Sequence, residues 1–228
     1  MILILASELD AVAQDAAAQW PGGRAIVLTP RDVCTRGWRV ELAAFEESQI
    51  VASGSIYPVR DVSGVVTLLP YVMDYELFAI EEPERKYVAS EVTAFLFYLL
   101  SRLECPVLNR PTAHCLAGPS WRTEQWNAAC RRVGIRHKPF GRQRHPQLPA
   151  GERSNDSTRV SVVGSECVGE VDTAFRSSAV ELARLARVEF LTIRLAGEAE
   201  DQTLHSVQLV PDLGDGLIFE AVQNHFVS

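Results

Sequence analysis

Lysine is almost missing from this chain: among 228 residues only Lys86 and Lys138 occur, so 20 of the 22 cationic side chains are arginines. Long apolar runs are missing too. The opening MILILA spans only six residues, too short for a signal core or a membrane span, and no later run approaches 18. A cytoplasmic protein without a membrane partner is expected. The five cysteines, Cys34, Cys105, Cys115, Cys130 and Cys167, are scattered and form no C-x-x-C, which excludes a disulfide framework and a zinc site. They read as reduced thiols. No G-x-G-x-x-G follows the first apolar run, so a dinucleotide fingerprint is absent. H-E-x-x-H and G-x-S-x-G are absent as well. A net charge of −7 excludes general affinity for nucleic acid, which accumulates cations against phosphate.

What is present is a globular composition, 47% apolar and 22% charged, enough for a sizeable core. Residues 1–6 read as a buried strand, and Ser7 with Asp10 reads as the cap of a helix that buries Leu9, Val12, Ala13, Ala16, Ala17 and Trp20. Pro21-Gly22-Gly23 ends it, and residues 25–28 supply a second strand, making a βαβ opening. Ser53-Gly54 sits between two alternating runs and predicts a hairpin over 49–59. Residues 64–69 read as another buried strand. Pro83, with Glu81 and Glu82 beside it, opens the longest helix, whose stripe of Tyr87, Val88, Val92, Phe95, Leu96, Leu99 and Leu103 is expected to cover the sheet or a partner subunit.

The stretch from 105 to 135, CPVLNRPTAHCLAGPSWRTEQWNAACRRVGI, reads as a strand at 107–109, a turn punctuated by proline at 110–119, and a helix stopped by Gly134. Ser120 is expected to cap that helix. A strand end opening into such a turn is where α/β sheets place ligands. The adjacent His114 and Cys115 carry no signature of a nucleophile pair, because sequence neighbours seldom face each other. Residues 136–158 have no periodicity and many cations, and read as a linker, with Arg142, Arg144 and Arg153 available to an acidic partner and His137 and His145 exposed. Beyond it, a hairpin turns at Gly164-Ser165, Ser178 and Glu181 form a capping box, and three strands are expected at 190–195, 204–210 and 217–222, the first two joined by an acidic loop at 198–201.

The pattern P-V-L-N-x-P-x-A followed by a helix and G-I resembles the end of the N-terminal, pre-ATP-grasp domain of ATP-grasp ligases, nearest those that mature ribosomal peptides. The run ending L-I-F-E resembles the last strand of their C-terminal subdomain. The fold implied is α/β: an N-terminal parallel-sheet βαβ domain at 1–135, the linker at 136–158, and a smaller α+β lobe at 159–228 that lacks the nucleotide-covering subdomain. Between the two, where the family has phosphate lysines and a glycine-rich loop, only Lys138 stands. The strand that in the peptide ligases ends in basic residues reads Thr67-Leu68-Leu69-Pro70 here.

The metal carboxylate of the penultimate strand matches Arg194, a cation where Mg²⁺ needs an oxygen. Glu220 matches the last-strand glutamate, Asn224 falls two residues late for the family's asparagine, and Arg194 is expected to pair with Glu220. The resemblance therefore implies a truncated, nucleotide-free accessory protein, without cofactor or metal, that binds a peptide or a protein such as a full-length ATP-grasp ligase. Its alternative is a carboxylate–amine ligase or transferase completed by another chain. Oligomerisation is compatible with either. Arg110, Trp121 and Arg122 are the expected site for a carboxylate, with Arg194, Glu220 and Asn224 as further ligand-binding residues; Trp126 reads as core.

Overall fold

The computed structural model describes residues 1–137, 158–197 and 202–227. Along the chain run β1 (Ile2–Leu5), α1 (Ala11–Gln19), β2 (Ala25–Leu28), α2 (Pro30–Val33), β3 (Gln49–Ala52), β4 (Ser55–Pro58), β5 (Gly64–Thr67) and α3 (Glu82–Arg102). They are followed by β6 (Val107–Leu108), α4 (Thr123–Arg132), β7 (Thr158–Val163), β8 (Glu166–Val168), α5 (Thr173–Ala186), β9 (Phe190–Ala196), β10 (Thr203–Gln208) and α6 (Gly216–Val227). Two compact units result, Met1–Ser120 with Leu209–Ser228, and Trp121–Gln208. These limits lie elsewhere than the sequence boundaries at 135 and 159: α4 falls in the second unit and α6 in the first.

The first unit holds a parallel sheet in the order β2-β1-β5-β6. Its strands read ILIL, AIVL and GVVT because a strand covered on both faces has no use for polar alternation. The chain leaves β1 for β2 on one side and returns to β5 on the other, so the order reverses between β1 and β5. Leu3, Leu5, Leu28, Val65 and Val107 meet Val92, Leu96, Leu99 and Leu100 of α3 in one core. The buried face of α3 is rotated from the expected stripe: Ala89 and Leu100 are buried, whereas Tyr87 is 65% exposed. The hairpin β3–β4 forms as predicted, and its two turn residues, Ser53 and Gly54, both take positive φ (47° and 74°), the turn whose twist suits adjoining strands.

Three expected helix caps are corrected. α1 is capped by Asp10, whose carboxylate accepts from the Ala13 N–H at 3.0 Å, so Leu9 and Val12 point to solvent. α5 starts at Thr173 under Asp172, which accepts from the Phe175 N–H at 2.7 Å, six residues before Ser178. In α4 the cap position is Arg122 and not Ser120, with the Gln125 side-chain oxygen accepting from the Arg122 N–H at 2.9 Å. Each time an aspartate or glutamine nearer the true start supplied the acceptor that free N–H groups need.

The strand expected at 217–222 is a helix, α6. Its buried positions Ile218, Ala221 and Val222 fall three and four apart, and the Asp215 carboxylate accepts from the Leu217 N–H at 3.1 Å to start it. A short apolar run fits strand and helix equally until the spacing beyond it is followed. α6 lays Phe219 and Phe226 against Trp20, with ring centroids 5.7 and 6.2 Å apart.

The second unit is an antiparallel sheet in the order β10-β9-β7-β8. Val160, Val162, Leu191, Ile193 and Leu195 share one buried face, α5 packs on β7, β8 and β9, and α4 packs on α5 and β10. The expected linker begins with paired backbone, since the Leu204 N–H donates to the Arg136 carbonyl at 2.8 Å. Lys138, Arg142, Arg144, His145 and Arg153, and the acidic loop at 198–201, lie outside the described residues. Cys130 of α4 is fully buried, and that burial pushes its thiol up to about 11. In native protein at pH 7, iodoacetamide should therefore modify exposed Cys34 well before Cys130, read by peptide mass spectrometry. Equal rates would mean that α4 does not stay packed. Among the described residues no helix is long and apolar enough to cross a membrane.

Candidate functional site

The other face of the second unit's sheet is polar. Period-two alternation places Arg159, Ser161 and Val163 of β7, Phe190, Thr192 and Arg194 of β9, and Ser206 and Gln208 of β10 on it. The register aligns Arg159 and Ser206 with Arg194 on either side, and Ser161 and Gln208 with Thr192. Ser161 and Thr192 are buried at 2% and 3% exposure and satisfy each other, hydroxyl to hydroxyl, at 2.8 Å. Arg194 donates one terminal N–H to the Gln208 side-chain oxygen at 3.3 Å, while its Nε is buried with no hydrogen-bond acceptor. No carboxylate occurs in the sequences of β7, β9 or β10.

Such a face repels a divalent cation. Mg²⁺ takes hard oxygen ligands, at least one of them anionic in most protein sites, and here two arginines are aligned on neighbouring strands and a carboxamide oxygen accepts from one of them. Glu220, expected on the last strand, belongs to the helix α6; the last strand is β10, which aligns Ser206 with Arg194 and offers the Gln208 oxygen to its guanidinium. Among the described residues no group of three His, Cys, Asp or Glu side chains could hold a metal.

The remaining expected residues are dispersed. Arg110 lies in the first unit just past β6 and donates to the carbonyls of Leu103 at 3.1 Å and Cys105 at 2.9 Å, where α3 ends. Glu220 and Asn224 are exposed and one turn apart on α6. Trp121 and Arg122 belong to the second unit; the Trp121 ring meets that of Trp126, itself 8% exposed, at 4.7 Å, and Arg122 is exposed. The sequence reading passed over Arg159, Ser206 and Gln208. The alternation in TRVSVV and TLHSVQ was the available signal, but a boundary at 158/159 cut into the first run and running the strand on to 210 blurred the second.

Two further polar places exist. A cleft of about 510 Å³ in the second unit is lined by Arg136, Thr158, Glu170, Asp172, Phe175 and Gln202, a mixture that favours no one ligand charge. At the carboxyl ends of the first unit's strands, the Ser7 hydroxyl donates to Glu76 at 2.8 Å, and Arg31 reaches Glu8 at 2.7 Å while lying over the Phe78 ring.

No protein-family profile matches the sequence, and no curated protein matches it. The structure does match solved proteins over nearly its whole length. A macrocyclase bound with a precursor peptide, from Microcystis aeruginosa, aligns at TM-score 0.72 and 11% identity, covering 99% of both chains. The fold is that of ATP-grasp ligases. A Chryseobacterium gregarium ATP-grasp ligase associated with ribosomally synthesised, modified peptides, in complex with ADP and a leader and core peptide, aligns at 0.68 and 10% identity, over 99% of this chain and 96% of that one. The ATP-grasp ligase PsnB, complexed with a minimal precursor, aligns at 0.68 and 13%, over 99% and 97%. The expected α/β class, a parallel-sheet domain followed by an α+β lobe, holds in this ATP-grasp fold, and the lobe's sheet is antiparallel.

Proposed function

We propose that this protein is a nucleotide-free, metal-free bearer of the ATP-grasp fold that binds a peptide, or a peptide-modifying ligase, in the maturation of ribosomal peptides. One observation carries the reading. By the resemblance Arg194 falls where the family's penultimate strand carries a metal carboxylate; Arg159 is aligned with it on β7, Ser206 is aligned with it on β10, and Gln208, two residues further along β10, accepts from its guanidinium. Acyl phosphate formation needs a metal between the phosphoryl oxygens and the protein, and a pair of arginines with an amide supplies no anionic ligand for one. The peptide half of the reading is supported by the fold's solved relatives, several of them complexes with precursor peptides. Arg110, Trp121 and Arg122, with Glu220 and Asn224, stay in this proposal as surface candidates for the partner.

Calorimetry with Mg·ATP tests it. No heat of binding is expected up to millimolar nucleotide. A dissociation constant below about 100 μM, roughly 5.5 kcal/mol, would favour the alternative, a ligase or transferase that another chain completes.

A further inference from the structure

The structure assigns an oxyanion site to the polar face of the second unit's sheet: Arg194, in the field of Arg159, binds a carboxylate or a phosphate directly, with no metal between. The inference rests on the metal-free reading of that face and names the ligand chemistry it implies. Like charges directly opposite each other on neighbouring strands oppose sheet pairing, yet Arg159 and Arg194 hold that relation in register. Both side chains are half-buried, where charges are screened less than at an open surface. The strands β7, β9 and β10 carry no carboxylate of their own. Arg159 has an interaction of its own, so its part is positive potential rather than a free donor.

Arg194 is the donor. Its buried Nε–H has no acceptor in the protein, and a buried donor without a partner is a standing cost that an incoming oxygen would remove. The guanidinium presents Nε–H and a terminal N–H as a planar fork, which matches the two oxygens of a carboxylate or two of a phosphate. Its one contact, 3.3 Å to Gln208, is long for a hydrogen bond and turns the Gln208 oxygen inward, leaving the amide N–H groups to donate. Ser206, beside Arg194 in register, adds a hydroxyl. The Ser161–Thr192 hydroxyl pair is closed on itself and seals the neighbouring row. Gln208 is exposed, whereas the Nε–H of Arg194 is buried.

Two probes separate the sources of such an anion: inorganic phosphate and an N-acetylated triglutamate peptide. Each is titrated into uniformly ¹⁵N-labelled full-length protein at low ionic strength, with EDTA or with Mg²⁺, while the arginine Nε–H signals are followed by NMR. The Arg194 signal should shift saturably with at least one probe, equally with EDTA and with Mg²⁺. Arg194→Gln should weaken that binding at least tenfold. Gln208→Glu keeps the arginine but places a carboxylate against it, and should weaken binding as much while raising the melting temperature. Saturation by neither probe below about 10 mM, binding that requires Mg²⁺, or binding that both variants leave unchanged would overturn the site. If the wild type ignores both probes and also ignores Mg·ATP, the oxyanion site falls while the nucleotide-free reading stands; if it takes up Mg·ATP, that reading falls as well.

Discussion

Gly64→Ala should destabilise the first unit by about 2–3 kcal/mol, the upper part of the usual range for overpacking, and Gly64→Val by more. A Cβ at this position would lie 2.5 and 2.7 Å from two ring carbons of Phe226 and 2.8 Å from Ile2 Cδ1, distances at which atoms must move. The ring has little room to yield. It packs on Trp20 at 6.2 Å and on the His225 ring at 5.3 Å. Gly64 is the first residue of β5, in register with Ile2, so the strand cannot back away without breaking its pairing with β1. The conflict therefore lands on α6. Phe226→Ala alone should cost about 2–4 kcal/mol, since the ring is only partly buried. The double variant Gly64→Ala/Phe226→Ala should be more stable than the sum of the single losses by about 1–2 kcal/mol, because the methyl group fills part of the space the ring leaves. Urea unfolding of the four proteins measures this. Strict additivity would show that the glycine is not there to admit the ring.

That contact also marks where sequence reading reaches its limit. The strands ILIL, AIVL and GVVT were legible because a run of apolar residues bounded by turn residues has few other uses, and the Ser53-Gly54 turn was legible because a two-residue hairpin demands positive φ. Nothing local in VQLVPDLGDGLIFEAVQNHFV says that the chain leaves the second unit after Gln208 and returns a helix to the first. The return is decided by Trp20, Gly64 and Ile2, which lie some 160 to 225 residues earlier in the chain. The candidate site was half legible. Arg194 stood out as a cation in a strand where the resemblance implies a metal carboxylate, a property of one position. Arg159 and Gln208 acquire meaning only through register, and register between β7, β9 and β10 is set by which face α5 and α4 cover. The exposed residues Arg122, Glu220 and Asn224 carried charge or polarity without any such constraint, so the sequence offered no means of ranking them.

Substitutions at Asn109 should rank Gly, Ala, Asp in increasing cost, and the ranking separates two roles of one side chain. Asn109 ends β6 with φ 61°, is 1% exposed, and its amide donates to the Leu209 carbonyl at 2.8 Å. The left-handed conformation is the first role: asparagine tolerates it and glycine adopts it freely, while alanine meets a penalty of about 1–2 kcal/mol there. The hydrogen bond is the second, since it fastens the start of the segment that carries the chain back to α6, and losing it costs about 1–2 kcal/mol. Asn109→Gly keeps the conformation and gives up the side chain's contacts, the Leu209 bond among them, and should lose about 1–2 kcal/mol. Asn109→Ala gives up both, for about 2–4. Asn109→Asp keeps the conformation but sets a buried carboxylate against a carbonyl oxygen, two acceptors facing each other, and should lose the most at pH 7. Lowering the pH toward 4 should restore part of the aspartate variant's stability and leave the other two unchanged, because a protonated carboxyl can donate where the amide did. Equal losses for Gly and Ala in thermal melts would show that the backbone conformation at 109 costs nothing, and that Asn109 acts through its side chain alone.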